Sequence, residues 1–170
     1  DLLMLSLPLP AVFVSVVESS LLPHARAGQV IVDVGTSRAS EVRRLGALLE
    51  KRGAALVDAP VTGGVRNAAE GKLRAFVGGK PAAIDRARPA LEALCLPGQV
   101  NLCGDCGSGQ IVKVVNQLAM GLADAAYLEA LSFGVRMGVD ASTLRTAVGG
   151  DEGWRRHLGN LAGAVVEGRS

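Results

Sequence analysis

The chain has 170 residues, 49% of them hydrophobic and 20% charged, with 22 glycines and only 3% aromatics. That balance excludes a disordered chain and asks for a core of Ala, Val and Leu, which suits close-packed helices and parallel strands. A formal net charge of +2, from 18 basic and 16 acidic residues with no Lys/Arg block, leaves no electrostatic footprint for nucleic acid.

Leu2 to Leu7 is a continuous apolar run ended by Pro8 and Pro10, and reads as a buried parallel strand. The strand starts with no lead-in, so an element is expected upstream of it. Residues 10–20 read as a helix that Pro10 opens. The stretch "LLMLSLPLPAVFVSVV" lacks a basic leader and carries two central prolines. It fits neither a signal peptide nor a membrane helix, and a soluble, cytoplasmic protein without membrane partners is expected.

"QVIVDVG", 29–35, is a second strand. A helix follows, with Val42, Leu45, Leu48 and Leu49 at helical spacing and Gly53 as its stop. "AALVDAP", 54–60, is a third strand, and a glycine-rich loop of small residues comes after it. Residues 81–95 predict a helix opened by Pro81, and "GQVNLCG" a fourth short strand. Strands that are apolar throughout, alternating with helices, are the mark of a parallel α/β sheet.

The pattern changes after Gly109. From Gln110 to about Met137 the chain has no proline, and apolar residues cover nearly every face. Such a helix is expected to be buried on all sides. It reads as the spine of a second, all-helical domain, with shorter helices at about 141–148 and 153–166.

Two constellations carry chemistry. Thr62-Gly63-Gly64 follows the carboxyl end of the third strand, where parallel sheets bind ligands. Consecutive glycines let backbone N–H groups face an anion, and the threonine hydroxyl adds a donor, which fits a carboxylate or a phosphate. A plain strand-to-loop turn uses the same residues. The second is "GSGQIVKVVNQ", 107–117. Ser108 is a good N-cap, Lys113 falls in the second turn, and Asn116 and Gln117 share its face. A lysine on an apolar helix is paired, snorkels to water or serves chemistry. The helix dipole and burial both disfavour its charged form and should lower its pKa toward the range of a general acid or base.

Cys95, Cys103 and Cys106 are an odd count without a secretion signal, which argues against a disulfide framework. Cys103 and Cys106 have CxxC spacing. However, His24 and His157 are distant in sequence and no second CxxC occurs, so no metal site is expected.

Together these stretches resemble the β-hydroxyacid dehydrogenases, a family that includes 3-hydroxyisobutyrate dehydrogenase, tartronate semialdehyde reductase and, more distantly, 6-phosphogluconate dehydrogenase. Asp58 to Gly79 is similar to the family's Asp-x-Pro-Val-Ser-Gly-Gly segment with its small-residue loop and Val-Gly-Gly. Gly107 to Asn116 is similar to its Gly-x-Gly-x-x-x-Lys-x-x-Asn. "LSLPLPAVFVSVV" and "VDVGTSRAS" resemble its Leu-Pro-x-Pro and Asp-x-Ser-Thr segments.

The resemblance implies a partial Rossmann-type domain over 1–108, then a long interdomain helix opening a partial all-helical domain over 109–170. It implies NAD or NADP as cofactor, a small carboxylate-bearing substrate and a homo-oligomer. Lys113 would be the proton donor and acceptor. Thr62, Gly63 and Gly64 would hold the substrate carboxylate, with Asn116 or Gln117 placing the substrate. Leu7, Pro8 and Thr36 would border the nicotinamide nucleotide.

The family's Ser is Thr62 here, Asn67 replaces a loop glycine, and Gly35 replaces the Ser before Thr36. The family's helix-opening proline is Ala39 or Ser40. No glycine precedes Gly28, so G-x-G-x-x-G is absent, and a fragment or a truncated gene product is expected. Two alternatives remain. One is an imine reductase-like enzyme, whose relatives lack the lysine. The other is a non-catalytic oligomerisation module.

Overall fold

A computed structural model describes residues 1–151 and 153–168. Glu152 and the last two residues of the expected second domain lie outside the described residues. The chain divides into two compact units, Asp1–Val115 and a second from Asn116 onward.

The first unit is built on a six-stranded sheet. Strands β1 (Leu2–Leu5), β2 (Val30–Asp33) and β3 (Ala55–Asp58) are parallel and adjacent in that order. Between them run helices α1 (Pro10–Val16), extended by one wider turn over Val17–Leu21, and α2 (Ala39–Glu50). As the sequence predicts, Pro10 opens α1. After β3 the sheet departs from the all-parallel expectation. The short β4 (Val61–Thr62) and helix α3 (Gly64–Ala69) occupy the stretch expected to be a loop. Strand β5 (Leu73–Gly78) follows and runs antiparallel to both β3 and β4. Helix α4 (Pro81–Leu94) then leads to β6 (Cys95–Gly104), which is parallel to β5. The reversal has a simple cause: only Lys72 and the Glu70–Gly71 turn separate α3 from β5, too short a link for a parallel crossover.

Alternation along the strands gives the sheet two cores. Leu5, Ile31 and Leu56 pack with Phe13, Val17, Val42, Leu45 and Leu49 of the α1/α2 layer. Val30, Val32, Val57 and Val77 face the other way, onto Ala83, Ile84, Ala87 and Leu91 of α4. Strands buried on both faces explain the unbroken apolar runs.

The spine is α5 (Ser108–Arg136), 29 residues long. In the second unit Leu131 packs with Leu158 and Ala162 of α7 (Gly153–Val166) and with Leu144 of α6 (Ala141–Val148). Asp140 caps α6, its carboxylate accepting the Ser142 N–H at 2.8 Å. His157 on α7 bonds Asp124 on α5, and Tyr127 meets its ring edge-on.

The expectation that α5 is buried on all sides fails. Val115, Leu118, Leu122 and Phe133 are 61%, 59%, 69% and 65% exposed. Among the described residues nothing covers them. Its length and a mean hydropathy of 1.3 would also suit a membrane span, a test that the core helix of a soluble protein passes equally.

Candidate active site

Two aspartates organise the carboxyl end of the sheet. Asp33 ends β2, Asp58 ends β3, the two are register neighbours, and both are fully buried. Asp33 accepts the Gly35 N–H at 2.9 Å and the Ser37 hydroxyl at 3.2 Å, folding the 35–37 turn back onto its own strand. Asp58 reaches across to α5. Its carboxylate accepts the N–H of Gly107 at 2.6 Å and of Gln110 at 2.9 Å. The leading N–H groups of a helix have no partner within it, and its positive end favours a carboxylate. Asp58 therefore does the capping expected of Ser108, which is instead the helix's first residue. Burial pushes both carboxyls above the usual aspartate value, and the hydrogen bonds they accept pull the other way.

The first turn of α5 sits directly on the sheet. A Cβ on Gly109 would stand 2.2 Å from the Phe76 carbonyl and 2.8 Å from Asp58 Oδ2, so glycine alone permits this approach. Beside it, Gln110 is fully buried. Its carboxamide oxygen accepts the Ser37 N–H at 2.9 Å, and its Nε2 donates to the Gly35 carbonyl at 3.0 Å. Lys113 lies one helical turn beyond Gly109 and is only 8% exposed. Burial lowers the pKa of its amine, in the direction the sequence predicts.

The other expected site residues of the first unit lie in the turn after β4 and at the carboxyl ends of β1 and β2. Thr62 is half-buried in β4 opposite Arg74. Gly63 and Gly64 are exposed, with φ of 140° and 75°, conformations that side chains rarely adopt. Asn67 holds that turn by donating to the Gly63 carbonyl at 2.8 Å. A Cβ on Gly64 would meet nothing within 4 Å, so Gly64 presents bare backbone to open space, whereas a Cβ on Gly63 would stand 3.0 Å from Leu73 Cδ2. The Leu7 carbonyl lies 3.4 Å from where a Gly35 Cβ would stand, and Pro8 and Thr36 are exposed on either side of that contact. Leu7, the 35–37 turn, Gln110 and Asp58 thus form one continuous set of contacts, with Lys113 on the next turn of α5.

Asn116 and Gln117 fall in the second unit. There the Asn116 amide donates to Gln117 Oε1 at 3.1 Å and lies 3.5 Å from Met120 Sδ. Both thiols of the CxxC spacing are half-buried, and burial pushes Cys106 up to about 12, which keeps it a neutral thiol rather than a thiolate nucleophile.

Sequence reasoning missed Asp33, Ser37 and Gln110 and treated Asp58 only as part of a motif. The available signal was an aspartate closing each of two apolar strands, since a buried carboxylate needs partners. The cluster can do two things chemically. It presents exposed backbone just past the short β4, and it holds an amine whose charged form burial disfavours.

Residues 1–104 match the model of the NAD binding domain of 6-phosphogluconate dehydrogenase. Residues 107–170 match that of the NAD-binding domain of NADP-dependent 3-hydroxyisobutyrate dehydrogenase. A probable 3-hydroxyisobutyrate dehydrogenase of Mycobacterium bovis is 34% identical over 141 residues, 82% of this chain and 47% of that protein. The chain spans about half the length of the curated relatives it matches. Among solved structures, Mycobacterium tuberculosis 3-hydroxyisobutyrate dehydrogenase with L-serine superposes with a TM-score of 0.79 at 33% identity, over 92% of this chain and 54% of that one. Psf3 in complex with NADP+ and 2-OPP gives 0.82 at 26% identity, over 99% and 60%. An imine reductase from Bacillus cereus, 19% identical over 98% and 54% with a TM-score of 0.73, shares the fold alone.

Proposed function

The chain belongs to the β-hydroxyacid dehydrogenase family, and from that premise we propose that it serves the NAD(P)-dependent oxidation and reduction of a small hydroxyacid. The observation that carries this reading is Lys113, buried one turn into a helix whose start is bonded to the carboxyl ends of the sheet. Bound NAD or NADP supplies or accepts the hydride. The exposed Pro8 and Thr36, flanking the close contact of Leu7 with Gly35, fit the nicotinamide end of that cofactor.

The chain's own groups divide the remaining work. Thr62 and the bare backbone of Gly63 and Gly64 bind the substrate carboxylate. Lys113 Nζ takes the hydroxyl proton on oxidation and returns it on reduction. Asn116 or Gln117 helps to place the substrate. The imine reductase reading has no support beyond the fold, whereas the lysine favours alcohol chemistry.

The test is Lys113→Ala, assayed with 3-hydroxyisobutyrate and with L-serine against NAD+ and NADP+. Turnover should fall by about 100-fold or more, the scale of a lost general base, while substrate analogues still bind. Turnover at the original rate would remove Lys113 from the chemistry.

A further inference from the structure

We propose that Gln110 is a positioning residue, whose carboxamide ties the 35–37 turn to the first turn of α5 and so fixes where the Lys113 amine stands. The proposal rests on the reading of Lys113 given above. Gln110 is fully buried and is bonded at three points: Ser37 N–H and Gly35 carbonyl through its side chain, and Asp58 through its own N–H. The two side-chain bonds have opposite polarity, one accepted and one donated, a pairing that a carboxamide or a protonated carboxyl of this length satisfies and that an ionised carboxylate or an apolar side chain does not. Asp33 already folds the same turn onto β2 from within, through Gly35 N–H and Ser37 hydroxyl. Gln110 is therefore not required to make the turn. What it adds is a tie between that turn and α5, across 75 residues of sequence. Lys113 follows three residues later on the same rigid helix. A shift at position 110 would therefore move the amine relative to Thr36 and Leu7.

Two variants separate this role from simple core packing. Gln110→Leu keeps the bulk and loses both side-chain bonds. Gln110→Glu keeps the shape, and its protonated carboxyl can still accept from Ser37 and donate to Gly35. Once ionised it cannot donate. The charged groups of the same network are Asp33, bonded to the 35–37 turn, and Asp58, bonded to the Gln110 N–H, with Lys113 three residues further along α5 and Arg43 of α2 bonded to the Cys106 carbonyl just ahead of the helix.

The chain has four lysines, Lys51, Lys72, Lys80 and Lys113, so carbon-13 labelling at lysine Cε gives a resolvable titration, with Lys113 assigned by its loss in Lys113→Arg. In the native protein the Lys113 signal should titrate lowest of the four. In Gln110→Leu it should move toward the other three, and the Ser37 amide should exchange faster with solvent. With 3-hydroxyisobutyrate, kcat should fall by about 10- to 100-fold, the scale of a misplaced reacting group, while KM stays within about twofold. Gln110→Glu should behave as native at low pH and as Gln110→Leu after its carboxyl ionises. That arm also holds if Gln110→Leu fails to fold.

An unchanged Lys113 titration and kcat in Gln110→Leu would overturn the proposal, as would a Gln110→Glu profile parallel to native at every pH. If Lys113→Ala retains turnover while Gln110→Leu still shifts the Lys113 signal, the catalytic reading fails and the tie stands. If Lys113→Ala is dead and Gln110→Leu is native in both readouts, the tie alone fails.

Discussion

A single amine carries the chemistry proposed for this chain, and its environment fixes the sign of its pH dependence. Burial lowers the Lys113 pKa from the ordinary 10.5. Oxidation needs the neutral amine, so kcat/KM for alcohol oxidation should rise with pH through this lowered value, earlier than an exposed lysine allows. Reduction needs the ammonium, so its rate should fall through the same range. Lys113→Arg, which stays protonated, should flatten both limbs, and a pH–rate profile of each direction checks this. Stability follows the same linkage. Between the folded value and 10.5 the unfolded chain binds more protons than the native one, so stability rises with pH across that window. Lys113→Met should abolish that rise. Opposed to the lysine stand Asp33 and Asp58, whose carboxyls are raised by burial, so their ionisation disfavours the folded state as pH climbs through their own window. They are retained because they hold the 35–37 turn and the start of α5.

At the scale of the element, the start of α5 is set by contact with the sheet more than by its own capping residue. Ser108→Ala should cost less than about 0.5 kcal/mol, below the usual ~1 kcal/mol of a lost N-cap, because Asp58 rather than Ser108 accepts the leading N–H groups. Gly109→Ala should cost at least about 3 kcal/mol, the upper end of overpacking penalties, because the new methyl would stand 2.2 Å from the Phe76 carbonyl. Denaturant midpoints of the two variants measure the contrast, and equal midpoints would contradict this account of the helix start. The same elements show what was legible in the sequence. β2 and β3 were readable because strands covered on both faces need apolar residues at every position, and α2 because its stripe repeats at 3.6 residues. β5 was not, because Leu73–Gly78 places Arg74 and two small residues beside a glycine-rich stretch, which local pattern cannot tell from a loop. The glycine pair and the lysine could be found because each is chemically out of place, bare backbone at a strand's end and a cation on an apolar helix. Gln110 could not, since its meaning lies in bonds to residues 73 and 75 positions away.

For the whole molecule, the misjudged feature is the most informative one. A helix apolar on every face was expected to be buried, yet Leu118, Leu122, Leu128 and Phe133 are all more than two-fifths exposed. Leaving four large side chains in water forgoes about 1.5–3 kcal/mol for each, a large sum against the ~5–15 kcal/mol by which folded domains are stable. Proteins that keep such a surface generally cover it by association. The proposed occupant is a second copy of the same chain, because an apolar helix supplies the complementary surface to itself when copies pair about a two-fold axis. Of the polar residues on this stretch of the helix, Asp124 and Tyr127 are turned onto His157 and Glu129 is paired with Arg136, so the exposed leucines and Phe133 supply most of the surface for that contact. Light scattering should then report a dimer or larger assembly at micromolar concentration. Leu118→Gln with Leu122→Gln should lower the mass toward that of one chain while the far-ultraviolet spectrum of helix is kept, because neither residue belongs to the core of its own unit. A native chain that scatters as a monomer at those concentrations would show that the spine is covered by something other than its own kind.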